Sequence, residues 1–170
     1  MSPTVHAPVA SPTVHATTVA LGEHGVLIRG EPGAGKSSLA LALIAEWIRR
    51  DRFAALVADD RTALAACGAR IIARAPPSLA GRIEVRGAGI LPARHCLPAV
   101  RISLVVDLVA DPPRLPASED CETIILAQTL PRLSLLERTS AASACALWVV
   151  LAESGLTSLF PQRQLQPATV

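Results

Sequence analysis

Residues 30 to 37 read Gly-Glu-Pro-Gly-Ala-Gly-Lys-Ser and match the phosphate-binding pattern G-x-x-x-x-G-K-[ST] in full. Glycines in this pattern let successive backbone N–H groups turn inward around an anion, while the lysine adds a mobile positive charge and the final hydroxyl can ligate Mg²⁺. The pattern requires a strand before it and a helix after it, because the helix N-terminus adds its positive dipole end to the pocket. This requirement restricts the fold more closely than any other feature of the chain.

The flanking residues supply the required context. Residues 25 to 28 form a short apolar run suited to a buried parallel strand, and residues 38 to 48 are rich in strong helix formers. We therefore predict a strand, a phosphate-binding loop and a helix that begins at Lys36. The candidate nucleotide contacts are Gly30, Glu31, Pro32, Gly33, Ala34, Gly35, Lys36, Ser37 and Ser38.

Composition narrows the class of protein. The 170 residues suffice for one domain with a real core, and a hydrophobic share of 51% with 18% charged residues excludes extended disorder. No apolar stretch reaches the roughly 18 residues of a membrane span, and the first residues lack the pattern of a secretory signal. We therefore expect a cytoplasmic protein with no membrane partner. A net charge of +2 and the absence of Tyr argue against a nucleic-acid partner bound by base stacking.

The two ends of the chain differ from its middle. Ser2 to Ala7 and Ser11 to Ala16 form a near-repeat, and residues 155 to 170 contain two prolines and three glutamines. We predict flexible tails over 1–14 and 155–170, and a working domain over 15–154. The four cysteines lie far apart without a C-x-x-C pair, so we interpret them as buried free thiols.

Strand signals outnumber helix signals in the working domain. A βαβ unit should close with the strand 53–58, a hairpin should turn at Gly68, and Thr139 or Ser140 could cap a last helix that ends before Gly155. This predicts an α/β fold with a mixed β-sheet and flanking helices. The predicted strands cover residues 17–21, 25–29, 53–58, 62–66, 69–73, 83–90 and 101–109, with two more around Pro131 within 124–136.

Acidic residues follow one of these strands directly. Asp59 and Asp60 stand where the strand 53–58 ends, and ligands of open α/β folds bind beyond such carboxyl ends. One carboxylate could hold Mg²⁺ and the other could take a proton from an attacking hydroxyl, although two adjacent acids can also form a solvated turn. Glu84 and Arg86 are spaced by two and should point the same way along a strand, toward one metal and phosphate site or toward each other.

Four motifs in a fixed order resemble one family. His15, the loop 30–37, the pair Asp59-Asp60 and the segment Glu84-Val85-Arg86-Gly87-Ala88-Gly89 are similar to the catalytic domain of bacterial HPr kinase/phosphorylase. The similarity covers about residues 15 to 110 and has the form of the short alphaproteobacterial members. It implies a P-loop-containing mixed β-sheet with flanking helices, as in HPr kinase and phosphoenolpyruvate carboxykinase.

The resemblance also implies an activity and its residues. It implies an ATP- and Mg²⁺-dependent kinase that phosphorylates a serine of the phosphocarrier HPr in a sugar or nitrogen phosphotransferase system, and in many members reverses the reaction by phosphorolysis. Asp60 matches the base that deprotonates the HPr serine, with Asp59 in support, and His15 matches the active-site histidine. Ser37 and Glu84 match the magnesium-binding positions, while Lys36 and Arg86, with Arg114 as a looser match, would stabilise the transferring phosphoryl group.

The chain also departs from the family pattern. Ser38 stands where the family usually has Glu, and residues 136–140 show no clear counterpart of the basic segment associated with dephosphorylation, so the resemblance leaves phosphorolysis open. A homo-oligomer is implied, but the usual hexamer is not assumed because the family's N-terminal domain is missing. A sensor kinase or other phosphotransferase-system proteins are further candidate partners. Two alternatives are an ATP-binding regulatory module without phosphoryl transfer and a small-molecule P-loop kinase.

Overall fold

Ten strands and two α-helices lie within residues 12 to 154, the part of the chain that this computed structural model describes. The helices are α1 (Lys36–Arg49) and α2 (Ser140–Trp148), and a π-helical segment, Val149–Ser154, continues α2. The strands are β1 (Thr13–Leu21), β2 (His24–Gly30), β3 (Ala54–Ala58), β4 (Arg61–Cys67), β5 (Arg70–Arg74), β6 (Arg82–Val85), β7 (Gly89–Pro92), β8 (Val100–Val109), β9 (Glu122–Ile125) and β10 (Gln128–Leu136).

The mixed sheet is organised around β1, β2 and β8. β2 pairs antiparallel with β1 and parallel with β8, and β8 also pairs parallel with β10. The other edge of β1 pairs antiparallel with β3 over its second half and with β4 over its first residues. The hairpin β4–β5 returns to the start of β8 and so covers one face of the sheet. The carboxyl ends of β2, β3, β8 and β10 consequently lie at one edge of the sheet.

Two hydrophobic cores lie on opposite faces of this sheet. The larger core joins α1 and α2 to alternate residues of the sheet, among them Val26, Ile28 and Val106. The smaller core lies under the β4–β5 hairpin and includes Leu27 and Val105. Residues of one strand therefore alternate between the two cores, as the period of two in a strand requires. This explains why the central residues of both strands, 25–28 of β2 and 104–106 of β8, are all apolar.

The predicted βαβ unit is present in a modified form. Because β2 and β3 are both antiparallel to β1, they run parallel to each other, but β1 lies between them. The strand β1 begins at Thr13, two residues before the predicted start of the domain, and residues 1–11 and 155–170 of the predicted tails lie outside the described residues. The mixed sheet itself and the β4–β5 hairpin at Gly68 are confirmed.

Two local predictions need correction. The strand pair in residues 122–136 turns at Leu126 and Ala127, which both have positive φ, and Pro131 lies inside β10 where its pairing passes from β9 to β8. The sequence lacks the Asn-Gly or Asp-Gly pair that is typical of such a turn, so the sequence pattern did not predict the position of this turn. The cysteines are free, as expected, but they are not buried: Cys67, Cys96 and Cys145 are exposed. Within residues 12 to 154, no helix has the length and apolar character needed to cross a membrane.

A buried aspartate ties three strands together near the edge where their carboxyl ends lie. Asp107 of β8 is 8% exposed. It accepts hydrogen bonds from Arg29 of β2, at 2.7 and 2.8 Å, and from Arg132 of β10, at 2.7 Å. Burial by itself would raise the pKa of Asp107, but the hydrogen bonds and charges of the two arginines hold it below its ordinary value. The ionised carboxylate therefore stabilises the folded state.

We expect Asp107→Asn to lower the free energy of unfolding by roughly 2 kcal/mol at pH 7, because two arginines lose their charged acceptor. Since the pKa is lowered in the folded protein, this stabilisation is present above the unfolded pKa of about 3.9 and is lost as the pH falls through the folded value. Urea unfolding of the native protein and of Asp107→Asn at pH 7 and pH 3 measures the difference in their free energies of unfolding. This difference should be smaller at pH 3. Glu119→Gln, at an exposed carboxylate, is the control; a difference for Asp107→Asn that does not change with pH would contradict the prediction.

Candidate active site

The glycine-rich segment forms a tight turn between β2 and α1. Gly33 and Gly35 adopt positive φ angles of 82° and 99°, which favour glycine, and α1 begins at Lys36 as predicted. The Lys36 ammonium donates to the backbone carbonyls of Gly30 at 2.8 Å and Glu31 at 3.1 Å. The helix N-terminus and the only lysine of the chain therefore point into one turn.

A cavity of about 510 Å³ lies against this turn, at the edge of the sheet where the parallel strands end. Most of the predicted site residues line it, and they come from β1, the turn, α1, the end of β3 and the β6–β7 hairpin. The lining residues are His15, Thr17, Pro32, Gly33, Gly35, Lys36, Ser37, Ser38, Asp59, Asp60, Glu84, Arg86, Arg138 and Ser140.

Asp59 is the buried centre of the cavity. It is 4% exposed, and its Oδ1 atom accepts hydrogen bonds from Thr17 at 2.7 Å and from Ser37 at 2.8 Å. Its Oδ2 atom accepts the backbone N–H of Glu84 at 2.9 Å. One carboxylate thus joins β1, α1 and the β6–β7 hairpin, and both of its oxygen atoms are engaged.

Asp60 differs from Asp59 in its exposure, in its contact partner and in its backbone conformation. Its side chain is 53% exposed, and its Oδ1 atom lies 3.1 Å from Nδ1 of His15. The backbone of Asp60 is left-handed, with φ of 61°, a conformation that Asp and Asn tolerate better than most residues. The sharp turn sends two adjacent carboxylates to different places, one into the protein and one to the mouth of the cavity.

The cavity also gathers positive charge. Burial lowers the pKa of Lys36, although the negative charges of Asp60, Asp59 and Glu31 oppose this shift. The guanidinium of Arg86 lies over Gly33, where an added Cβ atom would come within 3.5 Å of Nη2. Arg138 donates its backbone N–H to the carbonyl of Ala34 at 2.9 Å, so it lies directly against the turn.

Three predictions about individual residues are revised by the structure. Arg86 follows β6 and lies in the turn of the hairpin, not on the strand with Glu84, although both side chains line the cavity. Arg114 is exposed in the segment after β8 and is not among the lining residues. Gly30, Glu31 and Ala34 shape the turn but do not line the cavity either, because the two carbonyls hold Lys36 and Ala34 is packed in the core.

Sequence reasoning missed Thr17, Arg138 and Ser140. Thr17 could have been found, since it follows His15 by two residues on the same strand. Arg138 and Ser140 belong to the segment 136–140, which showed no clear counterpart in the family pattern. They reach the cavity because β10 pairs with β8 and the next residues lie against the glycine-rich turn, where the Arg138 N–H donates to the carbonyl of Ala34.

The donor atoms suit a hard cation shared with a substrate. Ser37 and Glu84 line the cavity with a hydroxyl and a carboxylate, the kinds of oxygen ligand that Mg²⁺ prefers, and Asp59 lies behind Ser37 as its hydrogen-bond acceptor. Among residues 12 to 154 no group of three or more His, Cys, Asp or Glu side chains could hold a metal alone. A cation held here would therefore complete its coordination with substrate oxygen atoms.

A mixed α/β sheet with its cavity beyond the strand ends, beside a glycine-rich turn and a helix N-terminus, is the arrangement of α/β proteins that bind phosphorylated ligands. Residues 8–123 match the family model of the HPr serine kinase C-terminal domain, and the chain belongs to this family.

Individual relatives agree with this assignment. The chain is 38% identical over 124 residues to the HPr kinase/phosphorylase of Azoarcus sp. (strain BH72), an alignment that covers 65% of this chain and 37% of that protein. It is 38% identical over 107 residues to the HPr kinase/phosphorylase of Neisseria meningitidis serogroup B (strain ATCC BAA-335 / MC58), covering 59% and 32%. The chain thus spans about a third of the length of these curated relatives.

A solved structure extends the similarity to the fold. The HPr(Ser) kinase/phosphatase from Coxiella burnetii superposes with a TM-score of 0.65 at 27% sequence identity, over 80% of this chain and 93% of that one. The mixed sheet with flanking helices is therefore the fold of that kinase/phosphatase.

Proposed function

We propose that this chain is a protein-serine kinase that transfers the terminal phosphoryl group of ATP to a serine of an HPr-type phosphocarrier. The observation that carries this proposal is the different placement of two acids beside the turn that holds Lys36. Asp59 is buried and accepts a hydrogen bond from Ser37, whereas Asp60 is exposed beside His15. A phosphoryl transfer needs a phosphate cradle, positive charge and a base within reach of the attacking hydroxyl. The acceptor of the phosphoryl group, HPr, is taken from the names of the relatives, which are called HPr kinase/phosphorylase and HPr(Ser) kinase/phosphatase.

The turn and α1 bind the nucleotide phosphates. Gly33 and Gly35 leave room for an anion against the backbone, and Lys36 exchanges its carbonyl partners for phosphate oxygen atoms. Arg86 and Arg138 add two guanidinium groups at the same rim of the cavity. Ser37 and Glu84 would ligate Mg²⁺, with Asp59 behind Ser37, and this ion would neutralise charge on the phosphates.

Asp60 is the general base in this proposal. Its carboxylate accepts the proton of the serine hydroxyl as the oxygen attacks phosphorus, and His15 orients it by contact at Oδ1. The exposure of both side chains favours a macromolecular acceptor over a small molecule. Pockets for small ligands bury most of the ligand surface, whereas Asp60 stands at an open mouth with 53% of its side chain exposed.

A single assay tests the function. The purified chain is incubated with ATP, Mg²⁺ and the HPr-type protein of the same organism, and phosphoserine is sought by mass spectrometry. We expect phosphorylation of one serine that depends on ATP and Mg²⁺. Nucleotide binding without any phosphoserine would overturn the proposal in favour of an ATP-binding regulatory module.

The single lysine allows a direct test of the phosphate cradle. Lys36→Gln should weaken ATP binding by roughly 10- to 100-fold, the effect of losing one charged hydrogen-bond donor. In the native protein, an N-hydroxysuccinimide ester at pH 8 can modify only Lys36 and the N-terminal amine. Because burial lowers the pKa of Lys36, its amine is less protonated than that of an ordinary lysine, and ATP should slow its modification. The N-terminal amine, whose modification rate should not depend on ATP, is the internal control, and equal rates at Lys36 with and without ATP would contradict the assignment.

A further inference from the structure

The outer face of the β4–β5 hairpin carries four arginines, Arg61, Arg70, Arg74 and Arg101, which we call the arginine face. Strand register places them on one side: Ala63 pairs with Arg74, Ile72 with Arg101 and Cys67 with Arg70. The alternate residues of these strands, such as Leu64 and Ile71, point into the smaller core. All four arginines are exposed.

Among the strand residues that the structure describes, those on the arginine face carry no negative charge. The other strand residues on it are Thr13, His15, Ala63, Ala65, Cys67 and Ile72, none of them acidic, and the Asp60 carboxylate contacts only its edge at the cavity, 3.1 Å from His15. Within the described part of the chain, none of the four arginines forms an ion pair. Five other arginines do pair with carboxylates: Arg29, Arg49, Arg50, Arg132 and Arg138.

A solvated basic surface would be the simplest account of four exposed arginines. Surfaces that only confer solubility mix both signs, however, and this chain has 14 acidic residues to distribute against 16 basic ones. Arginine also differs from lysine in presenting a planar group that binds carboxylates in a bidentate manner. The exclusion of acids from this face is therefore a feature that a binding role explains and solubility does not.

The arginine face is continuous with the mouth of the cavity. Arg61 directly follows Asp60, and its strand partner is His15. From Arg61 the hairpin runs for six residues to Cys67, about 20 Å at the usual rise of a strand. That length matches one side of a protein interface of ordinary size. A folded protein whose serine reaches Asp60 would have to rest on a surface of this kind.

We propose that the arginine face docks an acidic surface of the protein that carries the phosphorylated serine. This proposal rests on the proposed function and names how its acceptor is recognised. Small side chains between the arginines, Ala63 and Ala65, let the partner approach closely. The face lacks aromatic side chains, so it is poorly suited to nucleic-acid bases, and its place beside the catalytic mouth favours the acceptor protein over a lipid surface.

The test is a kinetic comparison with Arg74→Gln/Arg101→Gln, a variant outside the cavity. We expect KM for the HPr-type acceptor to rise about tenfold at low salt, because electrostatic steering is lost. The kcat value and KM for ATP should stay unchanged, which also shows that the variant is folded. Arg52→Gln/Arg94→Gln, which removes two exposed arginines elsewhere, should leave all three constants unchanged. The dependence of KM on ionic strength should be weaker in the first variant only.

The outcomes separate this inference from the proposed function. If the native protein phosphorylates the acceptor and the Arg74/Arg101 variant does so with the same KM, the docking role is wrong while the kinase stands. If the native protein forms no phosphoserine, both fail. Binding of duplex DNA or of phosphatidylserine vesicles through these arginines, with KM for the acceptor unaltered, would also overturn the docking role.

Discussion

Asp60→Asn should lower the rate of phosphoryl transfer to the acceptor serine by roughly 10²- to 10⁴-fold, the usual contribution of a general base. Asn is the right substitution because it tolerates the left-handed backbone of Asp60, whereas Ala would add strain to the same turn. The amide still lies beside His15 but cannot accept the hydroxyl proton. Single-turnover formation of phosphoserine at saturating ATP measures the effect on chemistry.

Two controls isolate this effect. ATP affinity should be nearly unchanged, because Asp60 lies at the mouth of the cavity and not in the turn that we propose as the phosphate site. The free energy of unfolding should stay within about 0.5 kcal/mol of the native value, as for most exposed positions. Transfer at the native rate by Asp60→Asn would show that the carboxylate is not the base.

Asp59→Ala should destabilise the protein, unlike Asp60→Asn. We expect the free energy of unfolding to fall by roughly 3 kcal/mol. The carboxylate accepts three hydrogen bonds from three elements, and its removal leaves the Thr17 hydroxyl and the Glu84 N–H without their acceptor. Thr17 is fully buried, so no water replaces that acceptor at once. Urea unfolding of Asp59→Ala beside Asp60→Asn compares two adjacent carboxylates in one experiment.

Asp59→Asn refines the test. An amide oxygen can still accept from Thr17 and Ser37, but the amide nitrogen then faces the donor N–H of Glu84. We expect a stability between those of the native protein and Asp59→Ala, and impaired Mg²⁺-dependent transfer because the Ser37 hydroxyl loses its charged partner. If Asp59→Ala were as stable as the native protein, the carboxylate would not join the three elements as described.

The local parts of the site could be read from the sequence because they depend on neighbouring residues. Gly33, Gly35 and Lys36 form their turn from backbone conformations available to glycine and from a helix start, and the structure places both where the pattern predicts them. The acid pair follows a short apolar strand, which ends at Ala58 as expected. Such features need only a window of about ten residues.

Other parts of the site depend on strands that are distant in the chain. The insertion of β1 between β2 and β3 carries Thr17 to Asp59, and the pairing of β10 with β8 carries Arg138 to the turn. Arg114 was assigned to the site as a loose match to the family pattern, but it is not among the residues that line the cavity. Strand order is set by which apolar faces pack together, and a single sequence does not contain that information in its local pattern.

The sequence by itself therefore determined the chemical groups that are available: a glycine-rich turn for which we propose phosphate binding, one lysine, and two adjacent acids at a strand end. Only the tertiary structure decided how the two acids differ, because burial and hydrogen bonding engage Asp59 while a left-handed turn exposes Asp60 beside His15. The arginine face likewise exists only after β4, β5 and β8 pair in register. The physical reason is the same in each case, since solvent exposure and charge proximity are properties of packed elements and not of residue order.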